Sequence, residues 1–189
     1  MARIRTFIGV DIGDEIRKNA VALQQRLARG AAVKWVAPEC LHITLLFLGE
    51  LDERDILPVC KAVEKSARRE PPFPLRALGI GAFPTPRRPK VLWAGVGDGA
   101  EPLRRLYAAI EDELLDLGVY RKEERGYTPH LTIGRTKNEA DGMALAPELA
   151  KLQTWDGGRT MVNELLAYSS EPGRDGPEYA VLARSQLAG

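Results

Sequence analysis

Two rhythms of apolar and polar residues run along the chain, and the changes between them mark its elements. Residues 4–12 are apolar with polar interruptions and predict a strand that turns at Gly13. Ile16, Ala20, Leu23 and Leu27 then recur at helical spacing, with Asp14 as a cap and Gly30 as a stop, so a helix is expected to about Arg29. Residues 33–36 predict a short strand broken by Pro38, and residues 41–49 a longer one. A second helix is expected over 55–69 with Asp55 as N-cap. That puts Pro58 in the first turn, where amide hydrogens lack a helical acceptor anyway. Residues 73–83 and 90–96 read as strands joined by the stiff, basic segment 84–89. Leu103, Leu106, Ile110, Leu114 and Leu117 form the apolar stripe of a third helix over 101–117, ended by Gly118. A strand over 127–136 follows, then a weaker helix over 145–152. Strands at 161–169 and 178–184 close the chain around the turn-rich segment 171–177.

Strands and helices mix without strict alternation of parallel units, which predicts the α+β class. The expected architecture is two similar lobes, each an antiparallel sheet with helices outside, facing a shared central groove. Residues 1–189 make one such bilobal domain. The two lobes are inferred from a repeat: the only histidines of the chain open the phrases His42-Ile43-Thr44-Leu45 and His130-Leu131-Thr132-Ile133. Successive strand side chains point to opposite faces, so each His shares a face with its Thr while the apolar neighbours take the other. Pro38 and Pro129 precede the two phrases. Either copy alone would be an ordinary surface or core histidine. Together they can supply a general base and a general acid, flanked by hydroxyl donors, for moving water onto a phosphodiester without a metal. Two histidines without a third well-spaced ligand make poor zinc geometry.

Composition narrows the partner. The 27 basic and 26 acidic side chains leave a formal charge of +1, too little for wrapping a long polyanion, so a nucleic acid would be met at an end, a nucleotide or one phosphate. Cys40 and Cys60 stand in no metal-binding or disulfide pattern and are expected to be reduced thiols. The amino terminus lacks the apolar stretch of a signal peptide, and no apolar run approaches the ~20 residues of a membrane span. A cytoplasmic monomer without membrane contact, cofactor or metal is the expectation.

The motifs carry a resemblance covering nearly the whole chain. Arg5-Thr-Phe-Ile, then Lys34-Trp-Val-Ala-Pro-Glu-Cys-Leu-His-Ile-Thr-Leu-Leu-Phe-Leu-Gly49, then residues 81–95 and Tyr127-Thr-Pro-His-Leu-Thr-Ile-Gly-Arg135 are involved. The chain resembles the two-histidine phosphoesterases, and within them the bacterial and archaeal RNA 2′,3′-cyclic phosphodiesterases, also called 2′-5′ RNA ligases. The resemblance implies hydrolysis of 2′,3′-cyclic phosphate ends to 2′-phosphates, with RNA ends, nucleotides or tRNA fragments as partners and ligation as the reverse reaction. It implies that His42 is the acid and His130 the base, roles the two equivalent motifs cannot themselves assign. Other readings of the residues are a non-catalytic RNA-end binding module and a phosphodiesterase for another small cyclic or 2′-5′ linked nucleotide. Leu46 departs from the family, many members of which carry Lys there. With ordinary imidazole pKa values of ~6.5, each His would be about one quarter protonated at pH 7, and the required pair of states populated roughly a fifth of the time.

Thr44 and Thr132 are expected to donate hydrogen bonds to the phosphoryl oxygens. Arg135 matches a phosphate-binding arginine of the family, yet strict alternation puts it on the face opposite His130. A bulge at Gly134 would re-aim it, and otherwise it is a surface charge. Phe47 holds the matching place in the first motif, either packed in the core or stacking on a base. Tyr127 and Trp93 carry the same ambiguity, and Arg87, Arg88 and Lys90 either steer an RNA end or sit in a solvated loop.

Overall fold

The computed structural model describes residues 2–122, 124, 126–174 and 176–188. Nine strands and four helices follow the chain: β1 (Arg3–Val10), α1 (Gly13–Leu27), β2 (Val33–Trp35), β3 (Ile43–Asp52), α2 (Glu53–Ala67), β4 (Phe73–Thr85), β5 (Arg88–Val96), α3 (Ala100–Asp116), β6 (His130–Thr136), α4 (Glu139–Ala150), β7 (Asp156–Val162), β8 (Glu164–Pro172) and β9 (Pro177–Gln186). A 3-10 turn at Pro38–Cys40 leads into β3.

The strands join in one antiparallel sheet of order β7-β4-β5-β6-β3-β1-β8-β9, with β2 added beside β6. Four strands stand on each side of the β3–β6 seam, so the two expected lobes are halves of a continuous curled sheet. The seam itself is a single register pair, Ile43 with Leu131. Neither lobe is a contiguous half of the sequence. The first contains β3, β1, β8 and β9 under α2 and α3, and the second contains β6, β5, β4 and β7 under α1 and α4. Helix α1 leaves β1 to pack on β7, and the last two strands return to β1, so the lobes are laced together by exchanged segments.

One apolar layer fills the space between helices and sheet. Ile16, Ala20 and Leu23 of α1, Val59 and Val63 of α2, and Leu103, Leu106 and Ile110 of α3 meet Ile8, Val10, Ile43, Leu92, Leu131 and Ile133 of the strands. The groove lies on the other face of the sheet.

Several boundaries differ from expectation for local reasons. Helix α2 starts at Glu53, so Pro58 falls past the first turn on an exposed side, where it removes one helical bond. Helix α4 begins at Glu139 because the Asn138 side chain accepts the Asp141 amide at 2.9 Å. Strand β7 was masked in the sequence by Gly157 and Gly158, and the single strand expected over 161–169 divides at Asn163 into β7 and β8. In the turn between β8 and β9, Asp175 lies outside the described residues.

Leu131 is 1% exposed at the seam. Leu131→Ala is expected to cost about 3 kcal/mol, read as a lowered midpoint of urea unfolding with unchanged slope.

Candidate active site in the central groove

The seam determines what enters the groove. Ile43 and Leu131 both point into the core, so the residues flanking them on each strand point the other way. Antiparallel register then sets His42 across from Thr132 and His130 across from Thr44. The four side chains of the two motifs thus gather on one face, related by an approximate two-fold axis through the seam.

Each imidazole is held in the same way. His42 Nδ1 lies 2.7 Å from the Cys40 carbonyl oxygen, and His130 Nδ1 lies 2.7 Å from that of Thr128. A carbonyl can only accept, so both Nδ1 atoms carry the proton. The chemistry is therefore left to Nε2 in both rings. His42 Nε2 is 2.8 Å from Thr44 Oγ1. His130 and Thr132 make no such contact among the described residues, leaving the Thr132 hydroxyl unengaged.

The backbone under His42 is clamped from α1. Arg17 donates to the carbonyls of Pro38 and Leu41 and pairs with Asp11, which anchors the turn whose Cys40 carbonyl orients the ring. Gly9 leaves room beside it: a Cβ there would come within 2.6 Å of the Ile43 oxygen and 3.5 Å of His42 Cδ2. Phe7 stacks on His42 at 4.7 Å, and Tyr179 meets its face edge-on at 5.4 Å. On the other side, His130 stands edge-on to Phe83 at 5.1 Å and tilted to Trp93 at 6.2 Å.

Both motif strands carry a bulge at the same place after the motif. On β3, Gly9 pairs with Thr44 but Ile8 pairs with Leu46, so Leu45 is the extra residue. On β6, Trp93 pairs with Thr132 but Leu92 pairs with Gly134, so Ile133 is the extra residue. A bulge advances the strand by one residue and flips every later side chain to the other face. Phe47 and Arg135 are thereby both delivered to the groove face. Phe47 is 59% exposed there, 5.9 Å from Phe7, so core packing is not its role. Leu46 packs in the core against Ile8, so the departure from Lys at this position does not fall among the groove residues. The β6 bulge is gripped by Gln24, a buried α1 residue whose amide donates to the Ile133 carbonyl at 2.9 Å and to that of Val36 at 2.8 Å.

Tyr127 differs from expectation. Its hydroxyl donates to the Thr44 carbonyl at 3.0 Å, and its ring stacks on Tyr107 at 4.6 Å. Burial pushes its phenol above the usual range. It fastens the approach to the second motif onto the first and does not present its hydroxyl to the groove. Arg88 is held by Glu139 on α4 at 2.6 Å and is not free to steer a ligand. The Trp93 Nε1 is buried without a hydrogen-bond partner among the described residues. Both cysteines are free thiols. No group of three or more His, Cys, Asp or Glu side chains that could hold a metal occurs among the described residues.

This arrangement has close parallels among known proteins. A family model described as LigT-like phosphoesterase matches residues 10–93. The chain is 32% identical to the RNA 2′,3′-cyclic phosphodiesterase of Aquifex aeolicus, over the full length of both. It is 34% identical to the protein of that name from Methanothermobacter thermautotrophicus, covering 94% of this chain and 95% of the other. The chain belongs to the LigT-like phosphoesterases. Its fold matches a Thermus thermophilus structure, TT0787, with a TM-score of 0.84 at 29% identity, over 98% of each chain. It also matches the Escherichia coli LigT complexed with 3′-AMP, with a TM-score of 0.77 at 25% identity over the whole of both chains.

Electrostatically, this LigT-like groove resists charge. Burial is the largest influence on both imidazoles and lowers both below the usual histidine range. At His42 the Cys40 carbonyl opposes the shift, Arg17 adds to it, Asp11 offsets Arg17, and the charge of His130 lowers it further. At His130 the Thr128 carbonyl opposes burial, while Arg135 adds to it. The free groove at neutral pH therefore favours two neutral imidazoles more strongly than unperturbed values would, and the mixed pair is scarcer.

Lowered native pKa values mean that the unfolded chain takes up protons the folded chain refuses as pH falls through the ordinary histidine range. Stability supported by the neutral rings is present above that range and is lost below it. Replacing both histidines by Gln is expected to reduce the stability loss between about pH 7 and about pH 5, followed by chemical denaturation at each pH. Parallel slopes for the parent and the double variant would contradict the shifts.

Proposed function

We propose that this protein is an RNA 2′,3′-cyclic phosphodiesterase that opens the terminal cyclic phosphate to a 2′-phosphate by metal-independent histidine acid–base catalysis. The observation that carries this reading is the placement of His42 and His130 across one sheet seam, each with Nδ1 committed to a carbonyl and Nε2 left for proton transfer. The two relatives that bear this name align over 100% and 94% of the chain. The E. coli neighbour, complexed with 3′-AMP, supports a nucleotide as the groove's occupant.

In the proposed reaction, His130 Nε2 takes a proton from water as it attacks phosphorus, and His42 Nε2 gives one to the departing ribose 3′ oxygen. The roles follow the difference in surroundings. At His42 the Arg17 cation is balanced by Asp11, whereas at His130 the Arg135 cation pairs with no carboxylate among the described residues and disfavours a second charge. Thr44 and Thr132 donate to the non-bridging oxygens. The Thr44 hydroxyl moves from His42 Nε2 to the phosphate, and Arg135 neutralises the phosphoryl charge. A preorganised donor of this kind is worth about 3 kcal/mol in the transition state. Phe47, exposed on the same face, offers a ring for the base. The bound anion favours an imidazolium and restores the mixed protonation state that the empty groove resists. Joining a cyclic end to a 5′-hydroxyl is the same chemistry reversed, which water disfavours by mass action.

His42→Ala and His130→Ala are each expected to lower hydrolysis of a nucleoside 2′,3′-cyclic phosphate by at least ~100-fold, with activity unchanged by a chelator. Full turnover by the double variant, or complete loss in chelator, would reject the mechanism. The pH profile of kcat/KM should be bell-shaped with its centre below about 6.5, because both free imidazoles are lowered. The kcat profile should lie to its alkaline side. Coincident profiles would show that the substrate does not retune the pair.

A further inference from the structure

The β6 bulge brings a second cation to the groove face. Lys34 of β2 is the register partner of Arg135, flanked by the pairs Val33–Thr136 and Trp35–Gly134. A Cβ at Gly134 would come within 2.8 Å of both Val33 and Trp35, so those two share the core face with Gly134 and Leu92. Lys34 and Arg135 therefore share the opposite face, the one holding His130 and Thr132, and both are exposed. Other arginines of the second lobe are paired: Arg88 with Glu139, Arg76 with Asp156 and Arg159 with Asp98. Lys34 and Arg135 have no carboxylate within ion-pair distance among the described residues. Two like charges in cross-strand register repel, and an anion between them removes the repulsion.

From the first lobe, the β8–β9 hairpin leans toward the same place. Pairing of β8 with β1 ends at Ser169, while β8 and β9 stay paired out to Pro172 and Pro177. The freed part of the hairpin touches the His42 side of the groove. There the Cys40 thiol reaches the Pro177 carbonyl at 3.3 Å, and Tyr179 lies edge-on to Phe7 and His42. The Tyr179 phenol makes no hydrogen bond among the described residues; burial, with Cys40, raises it above the usual range, and the Arg5 and Arg135 cations oppose the rise.

We propose that Lys34, with Arg135 and the Tyr179 hydroxyl, binds a second phosphate of the substrate, so that the groove is built for an RNA end and not for a lone nucleotide. This rests on the cyclic-phosphate reading of the site. A 2′,3′-cyclic phosphate terminates its strand, so every other phosphodiester of an RNA end lies on its 5′ side. The additional anion is then the phosphodiester joining the last two nucleotides. Lys34 is a substrate-binding residue with no part in proton transfer.

The test compares a nucleoside 2′,3′-cyclic phosphate with a dinucleotide ending in a 2′,3′-cyclic phosphate, and with the same dinucleotide bearing an uncharged methylphosphonate linkage. The parent protein is expected to favour the charged dinucleotide and to lose that advantage with the uncharged one. Lys34→Ala is expected to lower kcat/KM for the charged dinucleotide about fivefold and to flatten its dependence on salt, leaving the mononucleoside within about twofold of the parent. Lys18→Ala, on the helix face of α1, controls for net charge and should leave the ratio unchanged. Equal losses on all three substrates, no loss on any, or a parent indifferent to the linkage charge would overturn the proposal. Absence of turnover of every substrate by the parent would instead overturn the catalytic reading. Binding of the corresponding 2′-phosphate products, with and without the charged linkage, would still decide the role of Lys34.

Discussion

The site rests on one ladder pair. Ile43 and Leu131 are both buried beneath the helices, and they meet where the two halves of the sheet join. Because side chains alternate along a strand, burying these two obliges His42, Thr44, His130 and Thr132 to face away from the core together. Slipping either strand by one residue would send a histidine inward and expose an apolar side chain, so the energy that holds the core also holds the register. The candidate site therefore needs no loop to assemble it. It lies on the most deeply supported strands of the sheet, and the exchanged helices brace them from behind.

Much of this was legible in the sequence because alternation is a local rule. The paired motifs, the face shared by each His and its Thr, the α+β class and two lobes flanking a groove all follow from residues within a few positions of one another. What could not be read depended on partners distant along the chain. Phe47 and Arg135 reach the groove because each strand gains an extra residue, and a bulge is visible only against the strand it pairs with. Gly134 hinted at the second one. Leu45-Leu46 gave no hint of the first, since an apolar pair reads equally well as continuous core. Tyr127 shows the same limit: its position beside the motif was evident, but the Thr44 carbonyl that engages its hydroxyl is 83 positions away. Nothing local to Arg17 or Gln24 marks their carbonyl partners, which lie 12 to 109 positions further along the chain. A polar residue within the apolar stripe, as Gln24 is beside Leu23 and Leu27, was the signal that could have found the clamp on the β6 bulge.

The two halves are alike in what holds the histidines and unlike in what surrounds them. Both rings donate Nδ1–H to a carbonyl two residues back, which costs nothing in specificity because it demands only a turn before the strand. Around His42 stand a charge-balanced pair, Asp11 with Arg17 of α1, and an aromatic side chain at the position after the bulge. The second lobe adds an unbalanced arginine at the matching position. A symmetric pair of imidazoles would have no reason to divide into an acid and a base. The flanking residues break that equivalence, both past the bulges, where Phe47 and Arg135 differ, and at the Asp11–Arg17 pair beside His42.

Burial of the two rings has a further consequence for how such a groove works. A site that favours neutral imidazoles when empty is disfavoured for protonation until an anion arrives, so the active protonation state is tied to occupancy. The phosphate that reacts is then also the charge that prepares the acid. This coupling suits a groove on a nearly neutral protein: with a net charge of only +1 the surface as a whole does not draw long polyanions, and selection of a phosphate falls to the groove residues.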